Sequence, residues 1–177
     1  MGQSIAPRAY PLRQFGENAF AFRTECGNEY TIRFARYWQE EFLTLYLGIE
    51  LAIYEIYFEV AEIRDHRYDP RIQYTVMDTI INFLSVENRV GFFDIHREDG
   101  RGLENLRVYK LWLTMYARRM GKPVSLIGRI LHLPGQDDAH IACIVHHNNE
   151  ILTADNSEAV LDTALREIFP RAQLENL

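Results

Sequence analysis

The sequence predicts a single α+β domain, in which a mainly antiparallel, twisted sheet of about six strands packs against three helices. Three observations support this prediction. Short segments of alternating apolar and polar residues come in pairs, one longer alternating segment lies near the middle, and three segments repeat apolar residues at helical spacing. In chain order these segments give β-β-β-α-β-α-β-β-α, without an internal repeat or a long linker. A chain of 177 residues is long enough for one such core and short for two.

The predicted domain spans residues 18–170. The preceding residues, 1–17, carry Pro7, Pro11 and Gly16 without periodicity, so we expect an extended N-terminal arm. Residues 171–177 are expected to form a polar tail.

The N-terminal half begins with a predicted hairpin. Residues 19–24 and 29–34 alternate, and Gly27 and Asn28 between them suit a tight reversal. Residues 37–48 fit either a short helix or a strand, and the alternatives stay open. Residues 50–63 predict a long strand with one apolar face and with Glu55 and Glu59 on the other face.

The C-terminal half alternates between helices and strands. Asp69 followed by Pro70 is typical of a helix start, and Gly121 is typical of a helix end. We expect helices from residue 70 to about 86 and over 103–120 and 157–169, and strands over 89–96, 124–133 and 140–147.

Composition and charge restrict the classes of partner. The chain is 47% hydrophobic and 25% charged, with a formal net charge of −6 and a pI near 5.5. Nucleic acid is therefore an unlikely partner, because no overall basic field would attract phosphates. Four basic residues lie close together in the sequence: Arg118, Arg119, Lys122 and Arg129. Basic residues are common near the C-terminus of a helix, where they complement the helix dipole, and this explains the cluster more simply than a binding patch does.

The expected location is the cytoplasm. The two cysteines, Cys26 and Cys143, form neither a disulfide framework nor a metal-binding pair. The first residues lack the apolar region of a secretory signal, and no run of about 18 apolar residues suggests a membrane span.

The sequence contains no complete catalytic motif. It has no nucleophile elbow, phosphate-binding loop or dinucleotide fingerprint, and Cys143 in an apolar strand is expected to be inert. Asp94 and His96 leave the same face of a predicted strand, so they are candidate metal ligands. A complete site would need further ligands from the last strand pair: His132, His140, His146 or His147.

Aromatic residues suggest an interaction surface instead. They cluster where the secondary structure is ambiguous, and protein interfaces favour such residues; the candidates are Tyr37, Trp38, Tyr46 and Tyr57. Our leading hypothesis is therefore a non-catalytic module without a cofactor that binds a protein partner or a second copy of itself. A metal-dependent enzyme at Asp94 and His96 is the weakest alternative.

Two segments of the C-terminal half resemble a known family. Residues 92–101 read Phe-Phe-Asp-Ile-His-Arg-Glu-Asp-Gly-Arg, and residues 105–113 read Asn-Leu-Arg-Val-Tyr-Lys-Leu-Trp-Leu. The strand, Asp-Gly loop, Arg, aromatic residue and Trp resemble a bacterial family of unknown function found mostly in Bacteroidetes. That resemblance implies no activity.

The order of elements is also similar to the core of the GNAT superfamily of N-acyltransferases. The resemblance implies that acetyl-CoA would bind where the long strand meets the next helix, through backbone N–H groups and the helix N-terminus. The matching residues 64–72 contain no glycine and include Pro70, which lacks an N–H. The positions implied for cofactor binding are Arg64, Arg67 and Arg71, and those implied for the general acid are Tyr109 or Tyr116. This alternative also requires the long strand to separate from the strand that begins near residue 89.

Overall fold

The computed structural model describes residues 8–37, 51–86, 88–94, 102–122 and 124–176. These residues form one α+β domain with eight strands and three helices. The strands are β1 (Arg13–Gly16), β2 (Ala19–Arg23), β3 (Glu29–Arg36), β4 (Ala52–Glu62), β5 (Arg89–Asp94), β6 (Val124–His132), β7 (Ala139–His146) and β8 (Gln173–Asn176). The helices are α1 (Pro70–Leu84), α2 (Gly102–Met120) and α3 (Ser157–Ile168).

Local sequence signals account for the ends of two helices. Asp69 caps α1 by accepting a hydrogen bond from the Arg71 backbone N at 2.8 Å, and Pro70 occupies the first helical position. Gly121 follows α2 with φ +61°, the left-handed conformation that favours glycine. Both predicted helix boundaries are confirmed.

The strands form one open sheet in the order β1-β2-β3-β4-β5-β7-β6-β8. The pair β4 and β5 is parallel, and every other neighbouring pair is antiparallel. Helix α1 connects β4 to β5, as a parallel pair requires a crossover. The predicted mainly antiparallel sheet is therefore confirmed.

Two hydrophobic cores lie on opposite faces of the sheet. Helices α1 and α2 cover the larger core, where Ile32, Ile80 and Leu106 are fully buried. Helix α3 covers the smaller core over β4, β5, β6 and β7, where Leu131 is fully buried. The central strands β4, β5, β6 and β7 supply both cores by alternation, so Phe92 faces α3 while Phe93 faces α1 and α2.

The sheet has two strands more than the six that the sequence predicts. Strand β1 lies within the predicted arm, and β8 lies within the predicted tail. The arm is also held by Tyr10, which is buried against Phe22 and donates a hydrogen bond to Asp69. Burial and this hydrogen bond raise the pKa of the Tyr10 phenol to about 12. These parts of residues 1–17 and 171–177 belong to the folded domain.

Candidate functional site

The loop between β4 and α1 carries the three arginines that the acyltransferase hypothesis requires. Each guanidinium already pairs with a carboxylate: Arg64 with Glu62 at 2.7 Å, Arg67 with Asp65 at 2.6 Å, and Arg71 with Glu25. Arg67 and Arg71 line one shallow pocket, and Arg64 is not among its lining residues. Because the pairs are largely exposed to solvent, each contributes little to stability.

The backbone of this loop is held by Asn28, a buried residue of the β2–β3 turn. Its side-chain oxygen accepts hydrogen bonds from the backbone N of Arg64 at 2.7 Å and of Asp65 at 2.9 Å. Asp65 accepts from the Arg67 backbone N at 2.9 Å. The backbone N–H groups of Arg64, Asp65 and Arg67 are therefore already used within the chain and are not available to a pyrophosphate.

The acyltransferase hypothesis requires β4 and β5 to separate, and the pairing between these strands covers only the first part of β4. Their parallel pairing runs from Ala52–Arg89 to Glu55–Phe92, whereas β4 continues to Glu62. Four rings extend from one strand to the other: Phe58 on β4, Trp112 and Tyr109 on α2, and Phe93 on β5. Their successive centroid distances are 6.5, 6.1 and 4.9 Å. The rings place Tyr109 beside the point where the strands part.

Tyr116, the other candidate acid, lies in the core. It is 3% exposed and donates a hydrogen bond to Asp78 of α1. Burial, reinforced by the bond to the carboxylate, raises the pKa of the Tyr116 phenol far above its ordinary value. A phenol with so high a pKa is a poor proton donor at neutral pH. Tyr116 therefore ties α2 to α1.

The candidate metal site falls mostly outside the described residues. His96 lies there, and of Asp94 the structure describes only the backbone, as the last residue of β5. Among the residues described, no group of three or more His, Cys, Asp or Glu side chains could hold a metal ion.

The histidines of the last strand pair have separate contacts. His132 bonds to Asp138 at 2.9 Å and to Glu175 at 3.1 Å, whereas the His147 ring bonds to the Ser125 hydroxyl at 2.8 Å. His146 is buried and accepts a hydrogen bond from the backbone N of Asn148 at 3.1 Å. Burial lowers the pKa of the His146 imidazole. Each of these three side chains therefore bonds to a different group of the protein.

The predicted aromatic surface is only partly described, because Trp38 and Tyr46 lie outside the described residues. Tyr37 packs on Phe92 with ring centroids 5.0 Å apart, next to the smaller core. Tyr57 lies on the same face of the sheet, beneath the Arg33 guanidinium at 5.3 Å. Neither residue is among the large hydrophobic side chains that the structure leaves exposed.

Helix α2 presents an apolar surface that our sequence reasoning missed. Its inner side packs through Leu106 and Tyr116, yet Val108, Leu111 and Met115 are 42%, 57% and 53% exposed on the outside. These three residues, the outer row, are spaced i, i+3 and i+7, so they form one stripe along the helix. The sequence contains the signal, because Val108, Leu111 and Met115 repeat at helical spacing in addition to the apolar residues that α2 buries.

An apolar cavity of about 210 Å³, the α3 cavity, lies between α3 and the face of the sheet that carries the smaller core. Its walls include side chains from three strands and the helix: Ile53, Phe92, Ile141, Cys143, Val160 and Ala164. Burial raises the pKa of the Cys143 thiol to about 12, so the thiol is inert at neutral pH, as the sequence predicted. No sequence pattern indicated the cavity, because its lining residues are widely separated along the chain.

The basic residues near the end of α2 do not form one patch. Arg129 is buried on the α3 side, where it bonds to Asp162 at 2.7 Å and lies 3.4 Å from Glu158. Burial alone would lower its pKa, but these carboxylates outweigh burial and raise it. Arg129 therefore joins β6 to α3 as a permanent charge.

Together these features define an open-sheet α+β protein with an outer apolar row on one side and an apolar cavity on the other. Neither a protein-family model nor a curated protein matches the chain. None of the helices that the structure describes is long and apolar enough to cross a membrane.

Proposed function

We propose that the protein is a non-catalytic binding module that self-associates, with two copies pairing through α2. The observation that carries this proposal is the outer row of Val108, Leu111 and Met115. A surface helix that already buries one apolar face normally presents a polar face to solvent. A second row of large apolar side chains is typical of a helix that docks against another helix.

The charges at the two ends of the row support pairing with a second copy. Glu104 lies seven residues before Leu111, and Arg118 lies seven residues after it. If two α2 helices pack antiparallel about a two-fold axis at Leu111, Glu104 of each copy faces Arg118 of the other. The same axis places Val108 of one copy beside Met115 of the other. The surface is thus self-complementary, which a two-fold interface requires.

The size of the surface supports a reversible dimer. Stable interfaces bury on the order of 1,200–2,000 Å² in total, and three partly exposed side chains supply only the centre of such an area. Tyr68, 76% exposed, lines a groove with Met115 beside the row and would extend the contact. We therefore expect dissociation within the micromolar concentration range.

The test is sedimentation velocity over a concentration series of the wild type and the Leu111→Glu variant. This substitution places two carboxylates together at the axis, so we expect the dimer Kd to rise by about tenfold or more. Thr114→Glu is the matched control, because Thr114 is exposed on the same helix outside the row. It adds the same charge at the edge of the row, away from the axis, and should raise the Kd much less than Leu111→Glu does.

A wild type that remains monomeric over the whole series would refute the proposal. A dimer that Leu111→Glu leaves intact would place the interface elsewhere.

A divergent acyl-CoA-dependent N-acyltransferase is the second candidate. The early end of the β4–β5 pairing favours it, because the loop that carries Arg67 and Arg71 follows the part of β4 that pairs with β3 but not with β5. Acetyl-CoA would have to displace Asp65 and Glu25 from these arginines, and Tyr109 would serve as the acid. Two observations weigh against this function: backbone N–H groups of the loop are already hydrogen-bonded within the chain, and residues 64–72 contain no glycine.

Native mass spectrometry with added acetyl-CoA separates the two candidates. A one-to-one adduct that disappears in the Arg67→Ala, Arg71→Ala double variant would establish the transferase site. If only the mass of the protein without acetyl-CoA is observed, the result counts against the transferase function.

The proposed membership of the Bacteroidetes family assigns no activity, so it favours neither candidate. No observation on the described residues favours the metal-dependent alternative. We also propose a reducing, cytoplasmic location, which the two unpaired cysteines, Cys26 and Cys143, support.

A further inference from the structure

We propose that the α3 cavity is a binding site for a small apolar molecule that carries one hydrogen-bonding oxygen. This inference is independent of self-association, because the cavity and the outer row lie on opposite faces of the sheet. The ligand would have the size of a single substituted aromatic ring or a short branched alkyl group. The hydroxyl of Ser157 would bind its oxygen.

The volume of the cavity sets the size of the ligand. Protein interiors are close-packed, and voids larger than a water molecule are few in a domain. An apolar cavity of about 150 Å³ is enough to bind benzene. At about 210 Å³, the α3 cavity has room for a ring with a small substituent.

The walls of the cavity favour an apolar ligand over water. Its lining side chains are almost all aliphatic or aromatic, including Leu152, Val160, Leu165 and Ile168. A buried water needs two to four polar partners, and such walls offer too few. An apolar molecule would regain the dispersion contacts that the empty volume lacks.

Two hydroxyl groups interrupt this apolar lining, those of Tyr37 and Ser157, and Tyr37 already has an interaction of its own within the protein. Ser157, the first residue of α3, lines the cavity and is only 2% exposed. Its backbone N donates to the Thr153 carbonyl oxygen at 3.0 Å, whereas its hydroxyl makes no hydrogen bond to the other described residues. Buried hydroxyls are normally hydrogen-bonded. A ligand oxygen would supply the missing partner and fix the orientation of the ligand.

Two probes of nearly equal size, toluene and para-cresol, test the site. We expect both to raise the Tm of the whole protein in thermal unfolding, by about 3–5 °C for each tenfold excess of probe over its Kd. We expect para-cresol to bind more tightly than toluene. In Ser157→Ala, para-cresol should lose about 2- to 10-fold in affinity, and the affinity for toluene should be unchanged.

Filling the cavity provides the control for location. Ala164→Leu projects into the cavity and should abolish the shift with both probes, whereas Ala159→Leu, on the exposed side of α3, should retain it. If Ala164→Leu does not fold, Val160→Phe serves the same purpose.

The proposal fails if neither probe shifts the Tm of the wild type, or if the shift survives in the filled variant. The proposed role of the Ser157 hydroxyl is refuted if Ser157→Ala lowers the affinity for toluene and for para-cresol equally. None of these outcomes depends on whether the protein dimerises.

Discussion

Gly91 of β5 packs closely against side chains of the larger core. A Cβ atom at this position would lie 2.6 Å from Ile56 Cδ1 on β4 and 2.9 Å from Leu84 Cδ1 on α1. Such contacts are too short for real side chains, so β5 can approach α1 only because residue 91 has no side chain. The packing of the crossover helix on the parallel strand pair thus depends on one hydrogen atom in place of a methyl group.

At the residue scale, we predict that Gly91→Ala destabilises the protein by about 1–3 kcal/mol through overpacking. The measurement is the free energy of unfolding in urea. Ile56→Val removes the Cδ1 atom of the closest contact, so Gly91→Ala should cost less in that background than in the wild type. Equal costs in both backgrounds would show that the contact with Ile56 does not limit the packing.

At the scale of elements, β8 shows how a short strand is fixed by its partner. Strand β8 pairs with β6 from Arg129–Asn176 to His132–Gln173, and the His132 side chain bonds to Glu175 of β8 and to Asp138 of the following loop. These carboxylates, Glu175 first and then Asp138, raise the pKa of His132 above its ordinary value of 6.5.

The raised pKa of His132 predicts a pH dependence. The folded state binds the proton more tightly than the unfolded chain, so the contribution of His132 to stability is complete below about pH 6.5. It is lost as the pH rises through the higher, folded-state pKa. The Tm difference between the wild type and His132→Gln should therefore be larger at pH 6 than at pH 9. A difference that stays constant or grows with pH would contradict the assigned pairing.

The same strand shows which elements a sequence can reveal. The six predicted strands alternate for five or more residues and bury one face or both. Their alternating pattern can therefore be recognised within each segment alone. Strands β1 and β8 have four residues each and are mostly exposed, so only their pairing with β2 and β6 defines them. The cavity is less predictable still, because residues as distant in sequence as Ile53 and Ala164 meet only when the sheet order is known.

At the scale of the whole molecule, the sheet separates two surfaces with different roles in this account. Helix α2 has a net charge of +3 from Glu104, Arg107, Lys110, Arg118 and Arg119, in a chain of net charge −6. The rest of the chain is acidic, so two copies repel each other in most orientations. In the antiparallel α2 pair, by contrast, Glu104 of each copy lies opposite Arg118 of the other. The other face of the sheet holds the α3 cavity, which a second copy would leave accessible to small ligands.

A charge exchange measured by sedimentation velocity tests whether two copies pair through α2 in antiparallel orientation. Glu104→Arg and Arg118→Glu each replace two opposite-charge contacts of the dimer with like-charge contacts. Each variant should therefore raise the dimer Kd by about 2- to 30-fold. The double variant restores both contacts with reversed signs, so its Kd should return close to that of the wild type. A double variant that dimerises as poorly as the single variants, or worse, would contradict antiparallel pairing through α2.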